Sequence, residues 1–148
     1  MRVAFDEQIF AIQPYGGISR MFAELAQQFI NEPGLGVELL PLNAPVVNRY
    51  ALDHEDIRSR LAVWDARTEY HSLARYFMRI RPRRSQDVVH NTFYLPHGLM
   101  SYPGARRIVT VHDMIPEMLP RTRRRLDFLT LKRHYVQRAH HIICVSES

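Results

Sequence analysis

An α/β domain built on a doubly wound parallel sheet, with helices on both faces, is predicted by three stretches of this chain. Residues 108–116, IVTVHDMIP, are apolar and β-branched until they end in the ionisable pair His112–Asp113. Residues 87–93, DVVHNTF, repeat that form, ending in His90 and Asn91. Between the first strand and these two, Ile18, Met21, Phe22, Leu25, Ala26, Phe29 and Ile30 recur at alternating spacings of three and one. That spacing places them on a single apolar stripe of a helix.

Taken in order, residues 2–5 form a short strand, and a loop then reaches Pro14-Tyr15-Gly16-Gly17. The striped helix follows over 18–30 and is stopped by Asn31, Pro33 and Gly34. A second strand covers 37–42, then an irregular stretch runs around Pro41, Asn43, Pro45 and Asn48. A polar segment from Asp53 leads into a helix over roughly 61–80, closed at Arg81-Pro82 because the residue before a proline is pushed out of helical geometry. Strands over 87–90 and 107–112, a long helix over 122–139 and a last strand over 141–145 complete the alternation. In an open sheet of this kind ligands bind outside the carboxyl ends of the strands, so His90–Asn91 and His112–Asp113 stand where chemistry is usually done.

A length of 148 residues suits one domain with a sizeable core. One cysteine excludes an internal disulfide framework; Cys144, in the apolar run IICV, reads as a small buried hydrophobe in a reducing compartment. Asp6 and Glu7 interrupt what a signal peptide would need, and no apolar run reaches the ~18 residues of a membrane span. The expectation is a soluble or peripheral protein. The net charge of +5 is uneven: up to Tyr70 six arginines face ten carboxylates, and from His71 onward fourteen basic groups face five acidic ones. Clusters at Arg79, Arg81, Arg83 and Arg84, at 121–125, and at Lys132, Arg133 and Arg138 suit nucleic acid, an anionic membrane or a phosphorylated substrate, or form an ordinary solvated face.

Gly16 and Gly17 stand where a helix begins, a place where free amides and the helix dipole attract anions such as a diphosphate. A plain tight turn explains the two glycines equally well. Neither the G-x-G-x-x-G fingerprint nor a P-loop is present. The eight histidines include no pair at i, i+4, which with one cysteine argues against a metal site, and no G-x-S-x-G elbow supplies a nucleophile.

The order YGGISRMFAEL, DVVHNTFYLP, RIVTVHDMIP and RAHHIICVSES, after an initial strand, resembles the amino-terminal half of a family 4 glycosyltransferase of the GT-B architecture. The resemblance implies a Rossmann-like, acceptor-side domain over 1–148, and a carboxyl-terminal nucleotide-sugar-binding domain that these residues do not contain. It implies an enzyme that moves a sugar from a nucleotide-diphosphate donor to a glycan or lipid-linked acceptor with retention, without metal or other cofactor. This chain alone would be inactive. By resemblance Gly16 and Gly17 meet the donor diphosphate, and His112, with Asp113 beside it, is the catalytic position against the transferred sugar. Tyr15, Arg20, His90, Asn91, Ser146 and Glu147 are the implied acceptor or sugar contacts. The setting implied is bacterial cell-surface polysaccharide or lipopolysaccharide synthesis, in the cytoplasm at the inner face of the membrane. A non-catalytic sugar- or nucleotide-binding module and a basic nucleic-acid-binding domain are the alternatives, although no nucleic-acid motif accompanies the arginines.

Overall fold

The computed structural model describes residues 1–65, 86–118 and 123–145. Its centre is a five-stranded, wholly parallel sheet of β1 (Arg2–Phe5), β2 (Glu38–Leu39), β5 (Val88–Asn91), β6 (Arg106–Val111) and β7 (His141–Cys144), in the order β2-β1-β5-β6-β7. The strand order turns back at β1, so the topological switch point lies between β1 and β5. This is the Rossmann-like α/β fold that the alternation of strands and helices predicts.

The two faces of the sheet follow from the period of two along each strand. Phe5, His90 and Thr110 face α2 (Gly17–Asn31), whose buried residues include Phe22, Ala23 and Ala26. Ala4, Val89 and Val109 face the other way, the first two against Tyr102 and Ala105 and the third against Tyr94 and Tyr135. Tyr135 comes from α6 (Arg123–Arg138), which meets the sheet with Phe128, Leu131 and Tyr135.

Beside the main sheet stands a parallel pair, β3 (Ala44–Val46) and β4 (Val63–Asp65), joined through α3 (Arg49–Asp53) and α4 (Glu55–Leu61). It extends the α2-side core, with Val46, Ala51, Ile57 and Leu61 all fully buried. Here the structure departs from the sequence reading. The helix expected over 61–80 begins instead as β4, because α4 ends at Ala62 in a left-handed cap and Val63 pairs with Ala44; residues 66–80 of that expectation lie outside the described residues. The strand over 37–42 contracts to Glu38–Leu39, since the Leu42 amide turns to the Leu61 carbonyl instead of continuing along β1, and Asn43 has φ of 49°. The loop before the glycine turn contains α1 (Gln8–Ile12), too short for its period to register in sequence. A further short helix, α5 (Ile115–Met118), follows β6.

Cys144 is exposed, a correction to its reading as a buried hydrophobe. The reason is position: among the described residues β7 pairs with β6 alone, and Ile142 and Ile143 beside Cys144 are exposed as well. Among the described residues no helix is long and apolar enough to cross a membrane.

Phe22 binds the helix to the sheet. Its fully enclosed ring meets Phe5 at 5.5 Å, His90 at 5.0 Å and His112 at 6.0 Å between centroids, each nearly edge to face. Phe22→Ala is expected to destabilise the chain by about 3–5 kcal/mol in urea denaturation, the usual cost of emptying an aromatic site. A loss under about 1 kcal/mol would show that α2 is held by other contacts.

Candidate functional site

The carboxyl edge of the sheet is built around Asp6, the residue that follows β1. Its carboxylate accepts from Gln8 Nε2 at 2.5 Å, Asn91 Nδ2 at 2.6 Å, Thr92 Oγ1 at 2.5 Å and the Thr92 amide at 2.9 Å, with the Gln8 amide at 3.4 Å. Burial and the neighbouring Glu7 carboxylate push Asp6 up to about 6, against the pull of the Thr92 and Asn91 donors. Glu7 itself lies 3.3 Å from His97 Nε2, both side chains enclosed. In the sequence, Asp6 and Glu7 argue only against a signal peptide. A carboxylate directly after an apolar strand was the available signal, of the same form as His90–Asn91 and His112–Asp113.

His90 and Asn91, adjacent in β5, point to opposite faces. His90 is buried against Phe5 and Phe22, with Nε2 2.8 Å from Thr110 Oγ1. Asn91 is buried on the other side, donating to Asp6 and accepting from Arg107 Nη1 at 3.1 Å. Arg107 continues to the carbonyls of Gly98 and Leu99, at 3.1 and 2.8 Å. Both residues hold strand ends together rather than reach toward a ligand.

His112 is half-buried just past β6, on the α2 side. It makes a hydrogen bond to the Thr92 backbone, while its Nε2 is buried with no partner among the described residues. The bond therefore uses Nδ1, and since the Thr92 amide already serves Asp6, Nδ1–H donates to the Thr92 carbonyl. That tautomer leaves Nε2 a bare acceptor. Burial holds His112 below its ordinary pKa, so the ring is neutral. Asp113 is exposed; its carbonyl accepts from Lys132 Nζ at 2.5 Å. Lys132 is buried and also paired with Glu117 at 2.7 Å, so it anchors the segment after β6 instead of joining a free basic face. Arg121 and the cluster at residues 79–84 lie outside the described residues, as do Ser146 and Glu147.

The glycine turn opens α2. Gly16 is the N-cap with φ of 153°, a conformation that favours glycine, and its carbonyl accepts from the Arg20 amide and the Ser19 hydroxyl, each at 3.0 Å. Gln13 Oε1 takes the Ser19 amide at 3.0 Å, while no described residue accepts from the amides of Gly17 or Ile18. Gly17 is exposed, and a Cβ built there meets nothing within 4 Å. Tyr15, 66 % exposed, meets Tyr50 of α3 edge to face at 5.9 Å. Arg20 is exposed and paired with Glu24 at 2.7 Å. The structure thus joins His90, His112 and α2 through Phe22, and sets Asn91 apart on the opposite face.

The glycosyltransferase family 4 model matches residues 15–148, nearly all of the chain. The chain belongs to glycosyltransferase family 4. Comparisons with curated proteins and with solved structures give no match. The family match takes in the glycine turn, His90 and His112, while β1 and Asp6 precede it. In this family 4 domain no three His, Cys, Asp or Glu side chains among the described residues cluster in a way that would hold a metal ion.

Burial and the nearby His112 hold His90 down at about 4, from an ordinary 6.5. A histidine kept neutral in the fold but charged in the unfolded chain makes stability fall as pH drops from 6.5 toward 4, with no further loss below. His90→Gln removes that titration. Wild-type stability relative to the variant is expected to fall by about 3 kcal/mol across this window. Identical pH slopes in urea denaturation of the two proteins would refute it.

Proposed function

We propose that this domain is the acceptor-side half of a retaining glycosyltransferase, with the α2 turn taking the diphosphate of a nucleotide-sugar donor and His112 holding the transferred sugar. The observation that carries this reading is Gly17. Its backbone does not need glycine, open space surrounds its missing Cβ, and its amide and that of Ile18 have no acceptor among the described residues. An alanine would suit the helix better by up to about 1 kcal/mol. A ligand brought close to the backbone explains the glycine, and an anion suits the free amides of a helix start.

On this reading the bond between the anomeric carbon and the phosphate oxygen breaks, with its electron pair leaving on the diphosphate. The Gly17 and Ile18 amides stabilise that growing charge. The acceptor hydroxyl oxygen bonds to the anomeric carbon on the face the diphosphate leaves, and its proton passes to the departing phosphate oxygen, so no protein base is required. His112, neutral and with an enclosed Nε2 that no described residue fills, receives there a hydrogen bond from a hydroxyl of the transferred sugar and fixes its orientation. A second, nucleotide-binding domain completes the donor site. The acceptor is a glycan or lipid-linked glycan in bacterial surface-polysaccharide synthesis, reached at the inner face of the membrane.

Two variants of the whole enzyme test this. Gly17→Ala is expected to weaken UDP or GDP binding, whichever nucleotide the enzyme takes, about tenfold in calorimetric titration while thermal stability holds or rises. Unchanged affinity would return Gly17 to an ordinary turn. His112→Ala is expected to lower turnover of the nucleotide sugar by about one to three orders of magnitude with the fold intact. Activity within about twofold of wild type would make His112 structural.

A further inference from the structure

Beside the glycine turn, α2 and the α3–α4 pair enclose a cavity of about 310 Å³ that no part of the proposed donor chemistry uses. Its polar lining is Arg20, Glu24, Gln27, Tyr50 and His54, over an apolar floor of Ala23 and Ile57. Arg20 to Gln27 extends about 10 Å along the helix, leading away from the turn. The near end adjoins it directly, since the Arg20 amide donates to the Gly16 carbonyl.

We propose that this cavity is a subsite for an uncharged pyranose residue of the acceptor. The proposal rests on the glycosyltransferase reading for the word acceptor, and on the lining alone for the sugar. A pyranose presents an apolar C–H face and an edge of hydroxyls. The Tyr50 ring and the apolar floor meet the first, and Tyr50 is steadied by its edge-to-face contact with Tyr15. The Arg20–Glu24 pair meets the second. Glu24 Oε1 engages Arg20 Nε, and among the described residues the other guanidinium donors and the second carboxylate oxygen have no partner, so they form a donor set beside an acceptor, as adjacent hydroxyls require. Gln27 adds an amide that both donates and accepts.

Charge decides against the alternatives. The paired Arg20 and Glu24 cancel, so the cavity has no excess cation to favour a diphosphate or an acidic sugar. The volume is at the low end of small-molecule sites and suits one sugar residue. A separate cavity of about 360 Å³, lined by Arg49, Arg58 and Asp65 against β4, provides an internal control.

Saturation-transfer NMR on the whole protein, without nucleotide, tests the subsite with the methyl glycosides of glucose, galactose and mannose, and with methyl glucuronide as the charged comparator. Transfer to the ring protons of at least one neutral glycoside is expected. Arg20→Ala should weaken its binding about tenfold, as should Tyr50→Leu, whereas Arg58→Ala should leave it unchanged. Arg20 is exposed, so its variant folds even if Tyr50→Leu does not. No transfer to any neutral glycoside, transfer unaltered in Arg20→Ala, or a preference for the glucuronide overturns the subsite. Glycoside binding that depends on Arg20 while UDP and GDP binding ignores Gly17 would sink the donor reading and leave the subsite standing. The reverse result would sink only the subsite.

Discussion

The Asp6 carboxylate ties three segments of chain together where β1 and β5 part: the end of β1, the start of α1 at Gln8, and the end of β5 at Asn91 and Thr92. Two carboxylate oxygens offer about four lone-pair sites, and five donors converge on them, so the group has no capacity left for a ligand. Desolvation and Glu7 outweigh those donors enough to push its pKa to about 6, yet at neutral pH the anion persists, held by the Gln8, Asn91 and Thr92 donors. Replacing the carboxylate with an apolar group would strand those donors in the interior, which is why so costly a charge is tolerated there. The consequence reaches the site. The switch-point crevice, where doubly wound sheets usually take ligands, is filled by the protein's own network, so the open polar groups lie to one side, at the α2 turn and past the end of β6.

Period-two alternation then sorts the histidines and their neighbours. His90, Thr110 and His112 share the α2 face, whereas Asn91 and Arg107 share the face toward Gly98 and Leu99. A one-residue slip of β5 would exchange the two sets, placing an asparagine against Phe22 and a histidine against the Asp6 carboxylate. Lys132 steadies the far side by gripping the Asp113 carbonyl and Glu117, so a helix from one face fixes the segment next to His112, while Phe22 from the other meets its ring.

The main sheet was legible because each of its longer strands is an apolar run with a polar end, and α2 because its stripe repeats over three turns. β3, β4 and α1 were not, being three to five residues long and specified by partners distant in sequence: Val63 by Ala44, and the Ile9 amide by the Thr92 hydroxyl. In the candidate site, the residue types at strand ends were readable, but their directions were not. His90–Asn91 and His112–Asp113 look alike as dipeptides. Only the register of β5 between β1 and β6 encloses the first pair, while His112 passes the end of its strand and stays half open. Lys132 looked like one charge in a basic run because nothing in that run marks the single position that turns inward.

The glycines separate fold from chemistry more cleanly than the ionisable groups do. Gly16 is required by its own backbone angle, and Gly98 by packing, since a Cβ there would collide with the Gln8 amide and the Tyr135 hydroxyl. Those two positions would keep glycine in a domain with no ligand at all. Gly17 has neither reason: its backbone is ordinary, its surroundings are empty, and alanine has the higher helix propensity. His112 presents the same asymmetry, a buried ring nitrogen with no partner among the described residues in a protein that has matched the Asp6 oxygens, the Asn91 amide and the Arg107 guanidinium with care. One feature is a backbone left bare at the start of α2, the other an acceptor left unfilled on a ring that meets Phe22 of the same helix. Two departures from self-sufficiency so placed are what a site completed by its substrate would require.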